Sequence, residues 1–553
     1  MLKRPVTRKE SSRRVSPQMG AAAAATATLG SLSATALARK RGFKDPGPSD
    51  LIEVTIAELQ ARMASGELTA LALVQQYKAR IKAIDRHGPK VNSILELNPD
   101  AEDIARALDQ ERREHGPRGP LHGIPLMLKD NIDTHDRMHT TAGSLALLGS
   151  TPPLDATVAS RLRDAGVVLL GKLNMSEWAN FRSTTSSSGW SGRGGQCLNP
   201  YALDRSPCGS SSGSGAAVAA NLCAVALGTE TNGSILCPAG INMVAAIKPT
   251  LGLTSRAGVI PISHNQDTIG PFGRTVADAV TVLGALVGVD PRDPATDASA
   301  GHFFSDYRPF LDLNGLQGAR IGVLRQVFAG FQEKVDVIYN QAITAMKNAG
   351  AIIVDPADLP SAQDMASSPD KLTVLLFDFK ADLNAYLAER GDPTIHTLQD
   401  VIDFNTTHAS QELPFFGQEL LLQAQAVDLT DQATIAAYDA ALANNRHLSR
   451  DQGIDAVLQE FNLDALVAPT NSVPWKIDLL DGDHHLGGSS TPTSLAGYPA
   501  IQVPAGFSYG LPVGITFMGK AWSEPTLIKL ASGFEAVTKA RQPPMFVPAS
   551  TVI

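Results

Sequence analysis

A seven-residue loop, GSSSGSG at 209–215, runs straight into an alanine-rich apolar stretch, 216–227, which ends at a second glycine-flanked serine in GTETNGS at 228–234. This succession constrains the fold more than any other feature of the chain. Small residues at both ends let backbone N–H groups approach a ligand closely. The apolar stretch predicts a short helix over 214–221 and then a buried strand over 222–228 that returns the chain towards the loop. A loop hydroxyl and that of Ser234, distant in sequence, are thereby expected to meet. A flexible Gly/Ser linker would not continue into a core-forming run. The letters around Ser211 also fit G-x-S-x-G, but that elbow requires a preceding strand. Here NPY at 199–201 and Ser206-Pro207 precede it, which is loop chemistry.

Composition sets the class. With 553 residues, 43% of them hydrophobic and 18% charged, the chain can bury a large core. A net charge of −8, with no long basic block after residue 40, argues against a nucleic-acid partner. No uninterrupted apolar run is long enough to predict a membrane span. The four cysteines, Cys197, Cys208, Cys223 and Cys237, form no C-x-x-C, and the histidines show no zinc-ligand spacing. No metal or cofactor is expected. Buried free thiols are the expected state of the cysteines, with a disulfide of undeduced connectivity among them as the alternative.

Residues 1–40 read as a targeting segment, outside the folded domain expected over 50–545. Lys3, Arg4, Arg8, Lys9, Arg13 and Arg14 give a basic start, and Ala36-Leu37-Ala38 fits a small-residue cleavage site. Ser12-Arg13-Arg14 resembles part of a twin-arginine export signal, which implies a periplasmic protein; a disordered tail on a cytoplasmic one is the alternative.

From residue 50 the pattern is helical. Thr55 and Glu58 form a capping box, a helix follows Thr69, and Asn98-Pro99 opens a third. Strands are expected at 167–170, 247–250, 258–262, 319–324, 352–354, 464–469, 501–504 and 513–518. Helices are expected over 276–287, through most of 364–463, and from a Ser523 cap to about 541. The mixture predicts one large α/β domain.

A serine nucleophile needs a base. His122, His264, His484 and His485 lie in loops without a triad context and are expected to be solvated. Ser368 and Lys371 fit S-x-x-K without its companion motifs. Gly166 to Lys172 nearly spells a phosphate loop, but Leu173 replaces the metal-binding hydroxyl and the intervening residues are apolar. Lys129 ends an apolar run, where desolvation would lower its pKa and leave an amine able to accept a proton. A surface pair with Asp130 is the alternative.

Several pieces together resemble the amidase signature family: GIPLMLKDN at 123–131, GKLN at 171–174, SPCGSSSG at 206–213, GTETNGSI at 228–235 and IKPT at 247–250. Within it, SEWANFR at 176–182, RGGQ at 193–196 and AWSEP at 521–525 look most like bacterial peptide amidases. The resemblance implies an α/β fold with one large mixed, twisted sheet flanked by helices on both faces. It implies a Ser-cisSer-Lys triad with Lys129 as base, Ser210 as bridge and Ser234 as nucleophile. Backbone N–H groups of Thr231, Asn232, Gly233 and Ser234 would form the oxyanion hole. The run at 176–182 itself, with Trp178, Ala179 and Asn180, reads as a pocket wall or as plain core. Two departures stand out: Ser212 where the family loop has glycine, and Asn232 where peptide amidases tend to carry Asp.

The activity implied is hydrolysis of the C-terminal carboxamide of peptides, or of acyl amino-acid amides, through an acyl-enzyme. Hydrolysis of fatty, aryl or indole acetamides is a second expectation, and the A subunit of a tRNA-dependent amidotransferase a third. A monomer is expected, with a homodimer as the alternative.

Overall fold

In the computed structural model, which describes residues 49–549, eleven strands form a single mixed sheet. They are β1 (Ile94–Leu97), β2 (Pro125–Lys129), β3 (Val168–Leu173), β4 (Val225–Glu230), β5 (Ala245–Lys248), β6 (Thr268–Gly273), β7 (Arg320–Val323), β8 (Ile352–Val354), β9 (Ala465–Pro469), β10 (Ala500–Ser508) and β11 (Leu511–Met518). Their order is β1-β3-β2-β4-β6-β5-β10-β11-β9-β7-β8. The export segment expected over 1–40 lies outside the described residues.

Within the sheet, β3, β2 and β4 form a parallel trio. All three are buried along their whole length, as parallel strands covered on both faces must be. Leu128 pairs with Leu227, so the carboxyl ends of β2 and β4 finish side by side. Lys129 ends one and Thr229-Glu230 the other. Open α/β sheets place ligands beyond such strand ends.

Between the Gly/Ser loop and β4 lies helix α1 (Ser212–Ala219), buried on every side. It starts and stops two residues earlier than the pattern predicts, and β4 starts three residues later. Asn221 is the reason. It adopts φ 58°, accepts from Glu53 N at 2.8 Å and donates to Glu53 Oε1 at 3.0 Å, so the chain turns there. Asparagine tolerates that backbone better than other residues with a side chain.

Other expectations need correction. Residues 258–262 form no strand; Val259 makes only an isolated bridge to Ile132. β6 escapes the sequence pattern because Pro271 sits inside it, and proline argues against an interior strand. Its pairing with β5 reaches only Phe272, one residue short of Pro271. The third helix begins at Ala101, with Asn98 Oδ1 instead accepting from Asp100 N at 2.9 Å in a turn. Ser523 precedes the last helix, Glu524–Thr538, but its hydroxyl donates back to Lys520 O rather than capping it. The capping box at Thr55 and Glu58 is present.

The cysteines correct a further expectation. Cys208 and Cys237 form a disulfide, with Cα atoms 6.0 Å apart, whereas Cys197 and Cys223 are buried thiols. The bridge ties the start of the Gly/Ser loop to helix α2 (Leu236–Ile241), which follows Ser234 directly.

Candidate active site

Lys129 is fully buried, which removes the surface pair with Asp130 from consideration. Its Nζ donates to Ser210 Oγ at 2.7 Å, to Thr229 Oγ1 at 2.8 Å and to Thr229 O at 3.3 Å. Burial pulls its pKa down to about 7, against the opposing pull of the Asp267 and Glu230 carboxylates. Asp130 turns away: it binds Arg193 at 3.0 Å and accepts from the Thr141 hydroxyl.

Ser210 is also fully buried and follows a cis peptide bond at Gly209. A Cβ at Gly209 would lie 2.1 Å from Ser176 Oγ, so no side chain fits there. The next residue clamps the loop to the end of β4. Ser211 Oγ accepts from Thr229 N at 3.2 Å and donates to Thr229 O at 3.1 Å. This hydroxyl therefore holds structure together and is not an elbow nucleophile.

Ser234 joins the group through the backbone: Ser211 N donates to Ser234 O at 3.2 Å. Ser234 is 8% exposed, the more accessible of the two serines, and its Oγ makes no hydrogen bond to Ser210 Oγ. The turn before it is held from both sides. Glu230 Oε2 accepts from Ile235 N at 2.6 Å and Leu236 N at 2.8 Å. Thr231 Oγ1 donates to Asp267 Oδ1 at 2.6 Å, and Ile262 N and Ser263 N donate to Asp267 Oδ2. Burial raises Asp267 to about 6. Among the described residues the N–H groups of Asn232, Gly233 and Ser234 donate to no protein acceptor. Gly233 takes φ 84° at the sharpest point of the turn.

A cleft of about 410 Å³ opens beside Gly209, Asn232 and Gly233. The Cys208–Cys237 bridge forms part of its floor. Of the three residues expected in a pocket wall, only Asn180 lines this cleft. Trp178 is 2% exposed and packs with Phe181 and Phe379, so it is core. Ala179 packs against the same cluster. Consecutive left-handed backbones at Trp178, Ala179 and Asn180 reverse the chain, with Asn180 alone reaching the cleft.

Sequence reasoning missed the cleft's far side, Trp475, Asp483 and Ser490. Asp483 sits in a recess whose desolvation raises its pKa, although the residue is exposed and three hydrogen-bond donors oppose the shift. Ser490 Oγ donates to Asn232 Oδ1 at 2.7 Å. These residues stand some 250 positions from the serine motifs, and no local pattern marks them.

The rejected candidates have ordinary roles. Lys172 Nζ donates to Ile132 O and Thr140 Oγ1, tying β3 to a neighbouring loop. Lys371 Nζ donates to two carbonyls of the preceding helix, Met365 O and Ala366 O. His122 is buried, contrary to expectation, with Nε2 2.9 Å from Leu108 O. His264 and His484 are exposed beside Asp382 and Asp478. His485 lines the cleft.

The site thus gathers a buried amine of lowered pKa against a hydroxyl, with a second serine and N–H groups on the adjoining turn. The comparisons identify the family. Residues 72–528 match the amidase family, and the chain belongs to it. It is 42% identical to a probable amidase of Arabidopsis thaliana, over 90% of this chain and 92% of that protein. It is 36% identical to the A subunit of the glutamyl-tRNA(Gln) amidotransferase of Chloroflexus aurantiacus, over 89% of this chain and 98% of that one. The native peptide amidase from Stenotrophomonas maltophilia superposes with a TM-score of 0.85 at 50% identity, covering 90% of this chain and all of that one. The chain is thus a hydrolase of carbon–nitrogen bonds in linear amides, built on the amidase signature fold.

Proposed function

We propose that this amidase hydrolyses the C-terminal carboxamide of peptides or acyl amino-acid amides, releasing ammonia. The observation that carries the reading is the 2.7 Å contact between the buried Lys129 Nζ and Ser210 Oγ. With a pKa of about 7, the amine is half neutral at neutral pH. Its lone pair then accepts the Ser210 proton while Ser210 takes the proton of Ser234. Ser234 Oγ attacks the amide carbon, and closure of the substrate carbonyl over the Asn232 turn aligns the serine with Ser210. The oxyanion meets the N–H groups of Thr231 to Ser234, each such donor worth about 3–4 kcal/mol in the transition state. The C–N bond breaks as the relay returns its proton to nitrogen, and ammonia leaves. Water, activated by the same relay, cleaves the ester and frees Ser234.

The choice of peptide amides over fatty, aryl or indole acetamides is supported by the polar lining of the cleft and by the likeness to the Stenotrophomonas maltophilia enzyme. An amidotransferase subunit works with partners, whereas this reading requires activity from the chain alone. The test is ammonia release by the purified protein from a panel of peptide, fatty, aryl and indole amides. Silence on every amide, or full activity in Lys129→Ala or Ser234→Ala, rejects it.

Export to the periplasm belongs to the same proposal. It rests on Arg13-Arg14 and Ala36-Leu37-Ala38, and is supported by the Cys208–Cys237 bridge, since disulfides persist in oxidising compartments. N-terminal sequencing of the mature chain from a periplasmic fraction tests it.

A further inference from the structure

In a carboxamide substrate everything except the departing ammonia lies on the acyl side, so the cleft lined by Gly209 and Gly233, the residues before Ser210 and Ser234, reads the acyl group. Its character is set by few residues. Asn180, Ser188, Asn232, Thr470 and Asn471 give it a polar lining, and no lysine or arginine is among the described residues that line it. Two lining side chains titrate, Asp483 and His485. Desolvation lowers the pKa of His485, so it adds no positive charge at neutral pH.

Asp483 is held in place by groups that only donate. Trp475 Nε1 donates to Oδ1 at 2.9 Å, Ser188 N to the same oxygen at 3.1 Å, and the Ser188 hydroxyl to Oδ2. Desolvation raises the pKa of this carboxyl, and these donors, which favour the charged form, oppose it. The direction of the Ser188 hydroxyl is itself settled, because its oxygen accepts from Asn180 Nδ2 at 3.0 Å and leaves its proton for Asp483. Two carboxylate oxygens offer about four acceptor positions, and three are filled. The residue remains exposed. It is also near the chemistry: a Cβ built on Gly209, the residue before Ser210, would stand 3.2 Å from Ser188 Oγ. One hydroxyl thus separates Asp483 from the catalytic loop.

We infer that Asp483 selects positive charge on the acyl group, so that the preferred substrates are carboxamides of peptides bearing a lysine or arginine side chain, or a free α-ammonium, within reach of the cleft. The inference rests on the amide-hydrolase reading above. An anionic acyl group meets a like charge, and an alkyl chain would desolvate a carboxylate that no lysine or arginine among the described lining residues neutralises. Both are disfavoured.

The experiment measures kcat/KM for ammonia release from three N-acetyl dipeptide amides, identical except for lysine, glutamine or glutamate before the terminal phenylalanine amide. The wild-type chain is expected to rank them in that order, with lysine over glutamate by about tenfold at low ionic strength and less as salt rises. Asp483→Asn keeps an oxygen for Trp475 and Ser188 to bond, and is expected to bring the lysine-to-glutamate ratio close to one, mainly through KM. Asp483→Glu is expected to keep the order. Equal turnover of the three by the wild type, or an undiminished ratio in Asp483→Asn, overturns the inference while leaving the amidase reading intact. No ammonia from any amide removes both.

Discussion

The proposed mechanism turns on one buried amine, that of Lys129. Its folded pKa of about 7 lies below the ~10.4 of an unfolded lysine, and in the proposed mechanism the neutral form is the base. The acid limb of kcat/KM for ammonia release should therefore have its midpoint near pH 7, activity rising with pH. A limb near 4 or 10 would assign the base elsewhere. The same shift acts on stability. Between pH 7 and about 10 the unfolded chain holds more protons at this site than the folded one, so folding is favoured as pH rises through that window. The cost of burying the charged amine is fully present below 7. Lys129→Met has no such proton to lose. Urea unfolding should show wild type gaining on this variant by at most about 1.4 kcal/mol per pH unit from 7 to 10. The variant should be folded and inactive throughout.

The elements around the serines are shaped by close approach. Gly228 in β4 has no room for a side chain: a Cβ there would meet Ser211 Oγ and Phe272 Cε2, both at 2.6 Å. Gly228→Ala should cost about 1–3 kcal/mol in urea unfolding and reduce kcat by moving the loop that carries Ser210. The disulfide is the second brace of this region. Replacing Cys208 and Cys237 by alanine should lower stability by about 2–4 kcal/mol. Addition of a reductant should leave that double variant unaffected while destabilising the wild type by a similar amount. These elements also show why prediction at this level is partial. α1 and β4 are legible from an apolar run and small residues. β6 is hidden by Pro271, and the ends of α1 are decided by what Asn221 can bind, which lies 168 residues away at Glu53.

At the scale of the molecule, a distant helical region supports the cleft. Helix Asp370–Arg390 sends Phe379 against Phe181, ring centres 5.0 Å apart, in the cluster that buries Trp178. Buried Arg182 binds Glu177 and the carbonyls of Glu412 and Phe416, and its guanidinium lies 4.1 Å over the Phe416 ring. The segment that places Asn180 is thus tied to helices more than 190 residues further on. Phe379→Ala should cost about 3–5 kcal/mol and raise KM more than it lowers kcat, because it loosens the cleft wall and not the Lys129–Ser210 pair. A drop confined to kcat would show that the helices reach the chemistry directly.

Sequence alone determined the family and the α/β class. It also pointed to Lys129 and Ser234, as a lysine at the end of an apolar run and a glycine-flanked serine, and through the family resemblance to Ser210. The tertiary structure decided what has no such signature. It buried Lys129 enough to bring its pKa to about 7, joined Cys208 to Cys237, sent Trp178 into the core and Asn180 to the cleft, and brought Asp483 to within one hydroxyl of the Gly/Ser loop. The physical reason is the same in each case: desolvation and partner choice depend on what surrounds a side chain in space, and here the surroundings come from strands and helices hundreds of residues apart.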